Sequence, residues 1–76
     1  MRMIELAAEY RQQEQALGQR LTKLRAMREG HPGGSMGLYR LNRRIEILAG
    51  MQREVRATAE LMEHYYERRE RLGRTL

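Results

Sequence analysis

From Met3 onward, apolar residues return every three or four positions: Met3, Leu6, Ala7, Tyr10, Leu17, Leu21, Leu24 and Met27. That spacing lines one face of an α-helix and predicts a first helix over about residues 2–29. Gln13 and Glu14 interrupt the stripe, leaving the seam imperfect there. Gly30 is placed as a C-cap, and Arg25 and Arg28 complement the negative end of the helix dipole. A second run, over about 36–72, puts Leu38, Leu41, Ile45, Leu48, Val55, Ala59, Met62 and Tyr66 on one seam. Ile47, Met51, Leu61 and Tyr65 form a stripe beside it. Strand-like alternation is absent throughout, so the fold class is all-α.

Four glycines and the only proline fall within Gly30-His31-Pro32-Gly33-Gly34-Ser35-Met36-Gly37, which no helix can traverse. Ser35 is the best-placed N-cap for the second helix. A loop over 30–35 is short enough to force an antiparallel hairpin. Folding about residue 33 sets Leu24 beside Leu41, Leu17 beside Leu48, Tyr10 beside Val55 and Met3 near Met62. Gly18 and Gly50 then fall at one level, either to let the helices approach or as tolerated surface glycines. Residues beyond about Tyr66 lack an intrachain partner, and the tail over about 70–76 is expected to fray. The whole chain, 1–76, reads as one domain.

Two helices offer each other a single contact line, whereas a domain needs packed layers around a core. Leaving Ile47, Met51, Leu61 and Tyr65 in water forfeits roughly 1.5–3 kcal/mol for each large side chain relative to burial. The expectation is therefore a homodimer, with two hairpins forming a four-helix bundle. Docking of the same face onto another protein satisfies the same physics.

Composition removes several classes of function. With 76 residues and no cysteine, the chain has neither a disulfide framework nor thiolate metal ligands. Apolar runs are too short for a membrane span or a secretory leader, so a cytoplasmic protein with no membrane partner is expected. Of the 15 basic residues all but Lys23 are arginine, against 10 acids, all glutamate, for a net charge of +5. Arginine makes bidentate contacts to carboxylates and phosphates that lysine cannot.

The charge is unevenly placed. Arg20, Lys23, Arg25, Arg28, Arg40, Arg43 and Arg44 face only Glu29 within residues 20–45, while the flanking segments are close to neutral. The hairpin gathers these cations at its loop end, where a polyanion is drawn in and counterions are released. Glycines opening the second helix add backbone N–H groups and a positive dipole end. Gly30–Gly33 and Gly34–Gly37 both read G-x-x-G between helices. Their placement is similar to the phosphate clamp of KH domains but without that fold's strands, and no family is assigned. Tyr39 beside the tip can stack on an unpaired base. With so few aromatics, duplex or structured-RNA contact through phosphates fits better than base reading. An acidic protein surface would meet the same residues, and plain solvation of the tip is the bland alternative.

Catalytic chemistry has little to stand on. Ser35 is the one serine, and no Asp or Cys is present. Glu60, His64 and Glu67 can share a helix face, but Leu61 occupies the place where a Glu-x-x-His metal motif needs its glutamate. His31 sits in the turn, and the loop lacks the Gly-Lys-Ser/Thr of a phosphate-binding P-loop. No enzyme activity, cofactor, metal or small-molecule substrate is expected. The expected protein is a non-catalytic interaction or regulatory module. It contacts nucleic acid or an acidic protein through its tip, or acts on a host nucleoprotein machine through its apolar face, as suits a phage or mobile-element accessory protein. A purely structural oligomerisation unit is the remaining alternative.

Overall fold

The computed structural model describes residues 2–75, with side chains at 2–65, 67 and 68. Two helices, α1 (Met3–Glu29) and α2 (Met36–Thr75), pack against each other, and the described residues contain no strand. The expected α1 agrees to within a residue, whereas α2 continues beyond the expected Leu72. The expected seam position at Tyr66 and the side chains of the tail expected to fray lie outside the described residues. Among those described, no helix is long and apolar enough to cross a membrane.

The turn is built from backbone and one hydroxyl. Gly30 ends α1 in a right-handed conformation (φ −87°, ψ −4°), so it caps without using the left-handed region. Gly34 is the residue that does, at φ 77°. Ser35 Oγ accepts from Leu38 N at 3.0 Å, the side-chain cap that the sequence places there. The His31 ring closes over Gly37, 3.5 Å from where a Cβ would stand.

Antiparallel register follows from one contact. Gln52 Nε2 donates to the backbone carbonyl of Glu14 at 3.3 Å, which sets residues 14 and 52 level. Seven residues away in opposite directions stand Ala7 and Ala59, exposed by 1% and 0%; seven the other way stand Leu21 and Ile45, exposed by 1% and 6%. The two helices thus meet in heptad layers, within one residue of the expected register. Leu21, Leu41 and Ile45 form the core cluster, with Leu24, Leu48 and Ala49 packed onto it.

The molecule measures 63 × 17 × 14 Å. At about 1.5 Å per residue, α2 spans nearly all of that length. By the same register α1 begins level with residue 63, so the last turns of α2 run past it.

Candidate functional site

Each helix presents two flanks beside the shared seam, and the hairpin therefore has two edges of different chemistry. On one edge, Arg11 bridges Glu14 and Glu63 at 3.0 and 2.7 Å, and Arg56 reaches Glu14 at 2.6 Å. Glu14 is the centre of this lattice, its side chain only 15% exposed between two guanidiniums. Hydrogen bonds from Arg56 and then Arg11 hold its carboxyl below the usual range, and Arg11 does the same for Glu63. The Arg11 guanidinium is raised in turn by Glu63 and Glu14. These ion pairs were not legible beforehand, because Arg11 and Glu63 are joined only by the exact level of the two helices. The one local signal was the i, i+3 spacing of Arg11 and Glu14.

On the opposite edge, Arg20, Lys23 and Arg44 surround a shallow groove of about 360 Å³ whose apolar lining is Leu24, Met27 and Leu48. Residues from both helices meet here, so the hairpin joins cations that are some twenty positions apart in sequence. Met27, expected on the seam, is displaced to this edge and is 56% exposed. Arg25, Arg28, Arg40 and Arg43 are exposed around the same end of the molecule, and Tyr39 is 61% exposed beside them. These four and Tyr39 do not line the groove. None of the seven cations forms an ion pair with a described residue. The first turn of α2 contains no acid, whereas α1 begins with Glu5. The positive end of the α2 dipole therefore adds to the side-chain charge instead of being offset.

The flanking apolar stripe continues from the groove. Met51 and Tyr65 follow Arg44 at multiples of seven, and Leu61 follows Ile47 likewise, so the stripe runs from the groove flank of α2 onto its outer face. Ile47, Met51, Leu61 and Tyr65 are 55%, 46%, 72% and 51% exposed. Each therefore leaves about half or more of its surface in water. Glu54 and Thr58 interrupt the stripe midway, the threonine hydroxyl donating to the Glu54 carbonyl at 2.9 Å.

His64, Glu60 and Glu67 are all exposed on α2. Among the described residues, no group of three or more His, Cys, Asp or Glu side chains is arranged to hold a metal ion. Gly18 and Gly50 have separate fates: a Cβ on Gly18 would stand 3.0 Å from Gln52 Nε2, while one on Gly50 would meet only Arg53 Nη2 at 3.8 Å. Gly18 serves the interface and Gly50 does not.

Compared with known protein families, curated proteins and solved structures, the chain finds no match.

Proposed function

We propose that the chain is a non-catalytic interaction module, a dimer of helical hairpins that holds nucleic-acid phosphates at its basic loop end. The supporting observation is the division of charge between the two edges. Arginines on the ionic edge are engaged by glutamates, whereas Arg20, Lys23 and Arg44 converge on one open groove with no carboxylate among the described residues paired to them. Unpaired guanidiniums give bidentate phosphate contacts at no cost in broken ion pairs. Duplex or structured RNA suits this surface, since phosphates alone are enough to engage it.

A second reading, an acidic protein segment, is favoured by the apolar lining of the groove, because Leu24, Met27 and Leu48 have no counterpart in a phosphate backbone. Fluorescence anisotropy separates the two. A labelled duplex or RNA hairpin should bind with an affinity that falls steeply between about 50 and 200 mM salt. Replacing Arg40, Arg43 and Arg44 by Gln should weaken that binding for every sequence alike. No binding of either nucleic acid at the lowest salt, with retention of an acidic amphipathic peptide, would replace the first reading by the second.

A further inference from the structure

We infer that the stripe Ile47, Met51, Leu61 and Tyr65 is covered by the same stripe of a second copy running antiparallel, with the two-fold axis level with Arg56. This rests on the dimer reading above and adds its face, direction and register.

The first argument is area. A compact protein of 9.0 kDa exposes about 4,900 Å² by the scaling of surface with mass. This hairpin exposes 6400 Å². The excess, about 1,500 Å², is larger than the roughly 800 Å² that each partner contributes to a standard interface. Much of the excess follows from the elongated shape, and the exposed apolar stripe gives it a place to be buried.

The second argument is pattern. The stripe reads apolar at 47 and 51, polar at 54 and 58, apolar at 61 and 65, and this order is the same from either direction. Its midpoint is residue 56, which is also the middle of α2. An antiparallel copy therefore overlaps α2 along its whole length. Ile47 meets Tyr65 of the second copy, Met51 meets its Leu61, and Glu54 comes beside its Thr58. No apolar side chain of the stripe faces a charge. A two-fold axis needs such a surface, since each residue pair occurs twice.

Charge decides the direction. A parallel pair would instead match each residue with itself, which brings two basic tips together and sets Glu54 against Glu54. In the antiparallel pair, tips level with residue 33 lie about 70 Å apart, at 1.5 Å per residue from the axis. That is many times the screening length of about 8 Å at physiological salt. One like-charge cluster remains, Arg43 and Arg44 level with Arg69 and Arg68 of the second copy, with Glu67 and Glu70 beside these in sequence. It lies at the ends of the overlap, where water reaches.

The chain contains no cysteine, so single thiols report directly. Met51→Cys and Leu61→Cys copies should give mixed disulfide dimers on oxidation when combined, and little when either is oxidised alone. In the proposed register Met51 stands about 15 Å along the axis from its own counterpart, beyond the Cα separation of about 7 Å that a disulfide spans. Ile47→Cys with Tyr65→Cys is the second pair, and retained helicity by circular dichroism confirms folded variants. Light scattering on the unaltered chain reads the assembly separately. A dimer in which Met51→Cys links to itself, or in which neither mixed pair links, overturns this interface and leaves the dimer reading standing. A monomer at all concentrations up to the millimolar range overturns both.

Discussion

Gln52 crosses the helix interface to donate to the carbonyl of Glu14, and it does so above Gly18, which has no side chain to obstruct it. A polar layer thereby occupies a heptad position in a seam that is otherwise apolar. Such a layer adds less stability than a leucine pair would, but it discriminates between registers. A slip of one heptad would set Gln52 opposite Leu21 or Ala7 and leave its amide without this acceptor. The lattice of Arg11, Glu14, Arg56 and Glu63 acts in the same sense, because its partners meet at one level only.

Replacement of the two interface-level glycines by alanine separates these roles. Gly50→Ala should stabilise the hairpin by about 1 kcal/mol through helix propensity, since the added methyl meets only the end of a flexible arginine. In a chain of this size that corresponds to a rise in Tm of roughly 4–8 °C. Gly18→Ala makes the same propensity gain but pushes on the Gln52 amide, so its Tm should rise less or fall. Equal increases in both thermal melts would show that Gln52 does not occupy the space over Gly18.

Leu21 is the largest fully buried side chain, at the centre of the cluster with Leu41 and Ile45. Truncation to alanine should cost about 2–5 kcal/mol. Natural domains have total stabilities of only about 5–15 kcal/mol, and so small a core lies at the bottom of that range. The expected result is loss of most helicity at 25 °C by circular dichroism. A variant that melts within a few degrees of the parent would move the core elsewhere.

Much of this was readable from residue spacing. Both limits of α1, the start of α2, the Ser35 cap, the near-correct pairing level and the exposure of Ile47, Met51, Leu61 and Tyr65 all follow from periodicity and turn chemistry, which act locally. The polar layer was not, because Glu14 and Gln52 look like breaks in two separate stripes until the helices are aligned. Nor was the displacement of Met27 to the groove, since it lies at the margin of the apolar face and a three-or-four spacing admits it to either side. The separation of ionic and basic edges needed both helices at once: Arg44 and Arg56 differ only in which flank of α2 they occupy.

Acid should weaken the hairpin through Glu14 and Glu63. Both carboxyls are held below the ordinary value of 4.5 in the folded state by their arginines. A group whose folded pKa is depressed contributes stability that is complete above its unfolded pKa and is lost as pH falls through the folded one. Melts should therefore be insensitive to these groups near neutrality and drop as the pH goes below about 4.5. In Glu14→Gln the neutral-pH Tm should be lower and the acid-induced drop smaller. If parent and variant descended in parallel, Glu14 would not be the linked proton site.

The groove makes a prediction that total charge does not. Removing any three cations lowers the net charge equally and weakens long-range attraction to a polyanion. Only residues in direct contact with phosphate change the number of counterions released, which is read from the slope of log affinity against log salt. Each contact adds about 0.9 to that slope on duplex DNA. The triple variant Arg20→Gln, Lys23→Gln, Arg44→Gln should therefore flatten the slope by up to about 2.7. A control with Arg2, Arg53 and Arg56 replaced by Gln carries the same charge change on residues that neither line the groove nor approach it across the proposed dimer, and it should keep the parent slope with a small loss of affinity. Equal flattening in both variants would mean that phosphates meet the hairpin everywhere along its length. The convergence of Arg20, Lys23 and Arg44 would then have no part in recognition.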